Sequence, residues 1–366
     1  MAFLFRRATG RDYSLVGPEA ELAVEKGLAG AEWYSSDVPR ARMKELTKRA
    51  DRPAIRDTSI WLGAMALFGG LGGFLWGSWL AVPFFLAYGV LYGSAADSRW
   101  HECGHGTAFR TRSLNDVVYQ IGSFMMMRDP TIWRWSHFRH HTDTLIVGMD
   151  PEIQAMRPPR LAKILLNPLG IVDVPIAFFH LFLHASGRLT AEERTFVPEM
   201  ERSKVARTAR ISLAIYGATL AACVVSGSIL PAMYIGLPRM YGCWLGILFS
   251  LTQHAGLGED VLDHRLNSRT IDFNPLLRFI YSNMNYHVEH HMFPMVPYHR
   301  LPELRAEIGY DIPPPYKGLL AAYREIIPTI MRQLVDPTHF VWQRLPSGAT
   351  PHPERAALTE VAEPGR

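Results

Sequence analysis

No Asp, Glu, Lys or Arg occurs between Thr58 and Ala96. A helix crosses a bilayer with about 20 predominantly apolar residues, so this run is long enough for two crossings. Trp76-Gly77-Ser78-Trp79 lies at its middle; Gly and Ser favour a turn and tryptophan favours a membrane interface. The pattern predicts a helical hairpin, roughly 59–76 out and 79–96 back. A second apolar block, Ile211 to Gly258, is interrupted only by Arg239. It predicts two further spans, roughly 211–227 and 239–254, with Gly227, Pro231 and Pro238 in the turn region and Arg239 snorkelling to the far interface. Gly69 and Gly73 form a small-xxx-small pair suited to close helix packing. They are no phosphate loop, because no strand precedes them and no G-x-G-x-x-G string is present.

The remaining segments hold almost all of the basic residues. Positions 1–57 carry a cluster at Arg40, Arg42, Lys44, Lys48, Arg49, Arg52 and Arg56, with Asp37 and Pro39 marking the start of a short surface helix to about Ala50. Positions 97–210 and the C-terminal third are likewise charged. The positive-inside rule places all three on the cytoplasmic side of a multi-pass protein of the cytoplasmic (inner) membrane. Ile164 to Gly187, interrupted by Pro168, Asp173 and Pro175, reads as a helix lying at the interface. An amphipathic helix is expected around 316–334, and the Pro-, Ala- and Glu-rich positions 346–366 read as a disordered tail. The net charge of +4 and the lack of a basic run interleaved with aromatics exclude nucleic-acid binding. Cys103, Cys223 and Cys243 form no paired framework, so free thiols in a reducing compartment are expected. The arginines Arg6, Arg7 and Arg11 precede no apolar stretch with a cleavage site, which argues against a signal peptide.

Three histidine clusters fall in these charged segments: His101-Glu102-Cys103-Gly104-His105, His137-Phe138-Arg139-His140-His141 and His287-Val288-Glu289-His290-His291. Spacings of three and four place the imidazoles on one helix face, where they can converge. All three clusters face the same compartment, and His254 at the exit of the fourth span is a ninth candidate. Neutral imidazole is a good ligand for iron, zinc, copper or nickel, and eight or nine such donors suit two metal ions. The lack of a cysteine run argues against an iron–sulfur cluster, and a single E-x-x-H spacing, Glu102 to His105, argues against a ferritin-like carboxylate site. The fold class expected is an all-α integral membrane protein: four transmembrane helices in two hairpins, with a cytosolic helical cap holding a histidine-rich di-metal site.

H-x-x-x-H followed by two H-x-x-H-H boxes, the last beyond the fourth span, resembles the three-box pattern of integral-membrane fatty acid desaturases and related hydroxylases. The resemblance covers roughly Thr58 to Leu304. The longer strings His101-Glu102-Cys103-Gly104-His105-Gly106-Thr107 and Trp133 to Thr144 look like a bacterial branch that includes the rhizopine-catabolism hydrocarbon oxygenases. The resemblance implies two iron ions held by His101, His105, His137, His140, His141, His254, His287, His290 and His291. It implies O2 as co-substrate, two external electrons and oxidation of an unactivated C–H bond. Desaturation and hydroxylation share the first hydrogen abstraction, and hydroxylation of a methoxy carbon would give O-demethylation of a small molecule of rhizopine type. Asn283, Gln253, Asp97, Asp143 and Glu289 are candidates to orient water or the ligand imidazoles, as are Glu102 and Asp150. No H-P-G-G haem string, dinucleotide fingerprint or Cys-rich segment occurs, so a separate ferredoxin or similar carrier with a reductase is expected, alongside membrane lipids.

Two other classes compete. His101-Glu102-Cys103-Gly104-His105 fits H-E-x-x-H, the helix of zinc metalloproteases, but an intramembrane protease would leave the two H-x-x-H-H boxes without a purpose. A metal carrier would place histidines inside the spans rather than beyond them. His180 and His184, one turn apart in an apolar helix, could bind metal, although such a pair more often lies at an interface. His264, His299, His339 and His352 read as surface or local structural residues, Cys103 and Met125–Met127 as packing. The chain divides into a basic cytosolic segment (1–57), a catalytic unit (58–304), an amphipathic helical segment (305–345) and the tail (346–366).

Overall fold

The computed structural model describes residues 11–352, and among them every regular element is helical. The two short N-terminal helices are α1 (Pro18–Glu25) and α2 (Arg40–Leu46). The chain then enters α3 (Asp51–Phe74), turns, and returns through α4 (Ala81–Val90), a π-helical turn (Leu91–Ala95) and α5 (Ala96–Gly104). The hairpin read from the sequence is present, with its turn at the expected tryptophans. Its outgoing limb begins earlier, because Arg52, Arg56 and Asp57 ride on the first two turns of α3. The surface helix before it is correspondingly shorter than expected, since the extended backbone at Ala50 separates α2 from α3.

Helix α6 (Arg112–Met125) packs against α5, and α7 (Pro130–Thr142) follows it. The expected interfacial helix is two pieces, α8 (Leu161–Leu166) and α9 (Asp173–Ala185), which with the 3-10 turn between them bend by 82°. Gly170 supplies the left-handed backbone at this corner, at φ 66°. A short α10 (Glu193–Phe196) leads to α11 (Arg202–Ser226).

The return limb is α12 (Leu230–Tyr234), α13 (Pro238–Tyr241) and α14 (Trp244–His254), so the single helix expected over 239–254 is broken. The physical reason is a backbone crossing: a Cβ at Gly242 would overlap the carbonyl of Gly89 on α4. Gly69 and Gly73 do permit close packing, but what they admit is the Tyr234 ring, whose hydroxyl donates to the Gly69 carbonyl at 2.8 Å.

Among the described residues one helix, Glu199–Ser226, is long and apolar enough to cross a membrane alone, or two if the bent α8–α9 pair counts as one. Only 11% of the apolar window of Glu199–Ser226 is buried, so it is not the core helix of a water-soluble fold. Phe74, Trp79, Phe179 and Phe182 add further exposed apolar surface.

The C-terminal third forms a cap: α15 (His264–Asn267), α16 (Pro275–Ile280), α17 (His287–Met292), α18 (Leu301–Ile308) and α19 (Gly318–Gln333). The last coincides with the expected amphipathic helix. Arg265, fully buried, is the cap's clamp: it pairs with Asp263 at 2.8 Å and Asp311 at 3.0 Å and lies over the Tyr34 ring. Asp311 also accepts from Ser36 and from the Thr350 amide, and His352 contacts Asp263 at 2.6 Å. His352 is therefore buried in a structural contact, one of the two roles expected of it, and with Thr350 it draws the start of the expected tail onto the cap; the rest of that tail lies outside the described residues.

Gly242→Ala should lower stability by about 1–3 kcal/mol, the usual cost of forcing atoms into packed space. Loss of monodispersity on heating in detergent is the readout, and an unchanged midpoint would contradict the close crossing.

Candidate metal centre

The three boxes lie on α5, α7 and α17. Helix α7 is started by Pro130 and by Asp129, whose carboxylate accepts from the amides of Thr131 and Ile132 at 2.8 and 3.0 Å. Helix α17 is held in place by the Ile271 amide, which donates to the Asn285 carbonyl at 2.9 Å.

The nine expected histidines come together in two groups. Ligand atoms of His101, His105, His137, His141 and His290 all lie within 4.8 Å of one another, as do those of His140, His254 and His291. His287 joins the second group, its Nε2 2.9 Å from that of His254 and 3.0 Å from that of His291. The boxes are shared between groups. His137 and His141 of α7 face the first group and His140 the second; His287 and His291 of α17 face the second and His290 the first. Helical geometry explains the split: i+4 is displaced by about +40° from i and i+3 by about −60°, so the outer pair clamps one point while the middle histidine leans to the other.

Proton placement shows that the groups fit metal ions. His137 Nδ1 lies 2.8 Å from Glu152 Oε2, His140 Nδ1 2.8 Å from Asp150 Oδ2 and His254 Nδ1 2.8 Å from the Asn267 carbonyl. Carboxylates and carbonyls only accept, so each Nδ1 carries the proton and each Nε2 presents a bare lone pair. The Thr144 hydroxyl donates to the His140 carbonyl, which leaves its oxygen to accept from His291 Nδ1 at 3.2 Å. The bare Nε2 of His137 meets Nε2 of both His105 and His141 at 3.1 Å. Both ring nitrogens of His101 are buried without a hydrogen-bond partner. The single Nε2 lone pair of His137 can accept from only one of His105 and His141, whereas a cation among them would take a lone pair from all three. Burial holds His101, His137, His141, His287, His290 and His291 well below the ordinary imidazole value, and His105 at about 4, so they present the neutral, metal-binding form. His140 differs: burial lowers it, but the Asp150 carboxylate more than offsets this and the net shift is upward.

Of the expected supporting residues, Asp150 contacts a box histidine, and Glu102 approaches one, Oε1 lying 3.4 Å from His101 Nδ1. The others are engaged elsewhere. Asp143 pairs with Arg139 at 3.8 Å, and Glu289 accepts from Thr270 and Arg305. Gln253 donates to the Tyr281 hydroxyl at 2.6 Å. Asn283 occupies a turn at φ 56° with its side chain bound to Arg278 and the Tyr298 carbonyl. Asp97 lines the cavity and contacts no box histidine. Glu152 was not expected; the signal for it is the acidic string Asp150-Pro151-Glu152 just beyond a histidine helix, in a loop that folds back along α7. His264, expected at the surface or in a local structural role, takes the second: it is buried, stacked on Trp33 at 4.3 Å with its ring 5.2 Å from that of His291.

Both groups border a cavity of about 520 Å³ that reaches His101, His137, His140, His254 and His287. Trp133 stacks on His137 at 4.2 Å and forms part of its wall. Glu102 is absent from that wall and faces a separate crevice beside Arg99 and Tyr298, its carboxyl pushed up to about 8 by burial. The metalloprotease reading needs this residue beside an open metal position, and it is not there.

An all-helical frame that gathers nine imidazoles beside a cavity defines a scaffold for histidine-held metals. The sequence profile of the fatty acid desaturase family matches residues 77–320, and the chain belongs to that family of membrane-associated oxidoreductases. It is 25% identical over 225 residues to a probable fatty acid desaturase of Sorghum bicolor, covering 56% of this chain and 57% of that protein. It is 25% identical to the chloroplastic sn-2 acyl-lipid omega-3 desaturase (ferredoxin) of Arabidopsis thaliana, covering 62% of this chain and 54% of that one. It is also 25% identical to the acyl-lipid omega-3 desaturase (cytochrome b5) of the endoplasmic reticulum of the same plant, covering 61% and 62%. The chain thus spans a little over half the length of these relatives.

Glu152→Gln, which keeps the shape at His137 but removes the charged acceptor, should weaken metal retention by about 10–100-fold. Competition against a graded chelator series measures this; unchanged retention would mean that the Glu152 contact does not orient the ligand.

Proposed function

We propose that the chain is an O2-dependent di-iron oxidoreductase that attacks an unactivated C–H bond of a lipid or hydrocarbon-like substrate by desaturation or hydroxylation. The observation that carries this reading is the pair of interleaved histidine groups bordering one cavity, with acceptors at Nδ1 of His137, His140 and His254 that bare their Nε2 lone pairs. Five imidazoles in one group and four in the other would hold one iron each. Bound there, the iron pair supplies activation of O2 and removal of hydrogen from carbon. The chain's own part is to hold the protons at Nδ1 of His137 and His140 through Glu152 and Asp150. Trp133 and its neighbours narrow the approach for substrate and water.

The spans in this reading are α3, α4 with the first turns after it, α11, and the broken limb α12–α14. The N-terminal segment, the region 97–210 and the cap lie in the cytoplasm, and the division at 57, 304 and 345 follows. Electrons come from a separate ferredoxin or similar carrier. Of the basic cluster, Arg42 pairs with Glu45, Glu303 and Glu307, and Arg56 with Asp57. Arg40, Lys44, Lys48, Arg49 and Arg52 are exposed and would dock an acidic carrier.

A second reading, O-demethylation of a compact molecule of rhizopine type, draws support from the cavity wall. Beside apolar residues such as Ile153, Ile247 and Leu251, the wall carries Arg128, Asp129, Arg157 and Lys163, charged groups that a polar molecule would use and an acyl chain would not.

Purified chain should hold two irons in the boxes, and a chain that binds no iron would overturn the proposal. His140→Ala or His290→Ala should abolish turnover while the chain still inserts in the membrane. With a reconstituted donor, mass spectrometry separates the outcomes: loss of two hydrogens, gain of one oxygen, or loss of a methyl group. Reversing Arg40, Lys44, Lys48 and Arg49 should raise the carrier's apparent KM and flatten its salt dependence, and unchanged kinetics would remove the docking site.

A further inference from the structure

Away from the eight box histidines and His254, a second set of donors meets on another wall of the same cavity. His180 and His184 are one turn apart on α9, and Glu193 opens α10. The position of Glu193 is dictated locally. Thr190-Ala191-Glu192-Glu193 is a capping box in which the Thr190 amide donates to Glu193 Oε2 at 2.8 Å and the Glu193 amide donates to Thr190 Oγ1 at 3.1 Å. The carboxylate so fixed turns Oε1 toward both histidines, 3.2 Å from His180 Nδ1 and 3.1 Å from His184 Nε2. All three donor atoms lie within 4.8 Å of one another.

A further observation points to a ligand at this wall. Asp129 is 91% buried and gives Oδ1 to the first amides of α7, while its Oδ2 has no hydrogen-bond partner. Its carboxylate interacts electrostatically with His184 and Glu193, and all three line the cavity.

We infer that His180, His184 and Glu193 form a separate site for a divalent transition metal of the zinc type. Two imidazoles and one carboxylate are the ligand set of open zinc sites, in which a fourth position is left for water or substrate. Imidazole donors select against magnesium and calcium, which take oxygen ligands. The pair at i, i+4 comes from a single helix and the carboxylate from a capped helix start, so all three donors sit on rigid elements. The remaining coordination position faces the cavity, where an oxygen donor of a bound molecule would reach it. The alternative is a metal-free His–Glu–His clasp that staples α9 to α10.

Cobalt titration of the iron-loaded full chain in detergent distinguishes these. Wild type should take up one equivalent of Co²⁺ beyond its iron. His184→Ala and Glu193→Gln should each lose that equivalent and keep the iron. Glu193→Gln is the decisive variant, because glutamine also serves in a capping box and the helix start is retained. His180→Ala, at a partly exposed position, should weaken uptake. Should the boxes hold no iron, Co²⁺ would fill them equally in all variants, and the one-equivalent difference from wild type would persist. Wild type with no uptake beyond the boxes, or variants that bind as much Co²⁺ as wild type, would leave the clasp as the answer.

Discussion

Five buried imidazoles whose ligand nitrogens all lie within 4.8 Å of one another are poorly held together by their own interactions. Their burial costs hydration, and the single bare lone pair of His137 Nε2 can accept a proton from only one of its two neighbours at 3.1 Å. Such a cluster exists because the scaffold enforces it. The enforcement is visible as buried charge in the cap. Arg265 ties Asp263 to Asp311 with no solvent exposure, Arg269 ties Glu325 to the Ala255 carbonyl, and Arg305 ties α18 to Glu289 on the histidine helix. Removing one member of such a buried pair costs on the order of 3–5 kcal/mol, because it strands the other charge. The cap therefore resists the spreading that the convergent donors favour.

Interleaving adds a second consequence. Because α7 and α17 each serve both groups, neither helix can rotate or slide to adjust one group without disturbing the other. The two boxes repeat the same i, i+3, i+4 pattern with the roles of the groups exchanged, so the arrangement has an approximate twofold character. His101 and His105 complete the first group and His254 the second, and the symmetry ends there. The first group sits under the Trp100–Trp133 pair, whose rings are 3.8 Å apart, and the second borders the Asn267–Thr144 side of the cap. The two groups thus present different surroundings to whatever enters the cavity.

The parts legible in the sequence are those fixed by local spacing. The nine histidines, the first hairpin with its tryptophan turn, and the amphipathic α19 depend on helical periodicity alone. What the sequence hid depends on distant backbone. The break at Gly242 follows from Gly89, more than a hundred residues earlier, and the burial of His264 follows from Trp33. The supporting carboxylates show the same limit. Asp150, a candidate on sequence alone, does reach His140, but Asp143, nearest to the second box, pairs with Arg139, and the unexpected Glu152 reaches His137 because the loop reverses. Charged residues such as Arg52 and Asp57 also blurred the start of α3, since a helix can carry charge on its first turns before entering an apolar environment.

Electrostatic balance gives the carboxylates a role beyond orientation. Nine neutral imidazoles bring no charge to offset metal cations, and the interior of a helical cap is a poor solvent for uncompensated charge. Asp150 and Glu152 stand one imidazole away from the donors, with their oxygens 2.8 Å from Nδ1 of His140 and His137. That places negative charge close enough to favour cations through the ring, yet out of the coordination sphere. A metal held by these imidazoles would meet a purely nitrogenous shell, with countercharge supplied from one ring away. A direct carboxylate ligand would have delivered the same charge but occupied a coordination position facing the cavity.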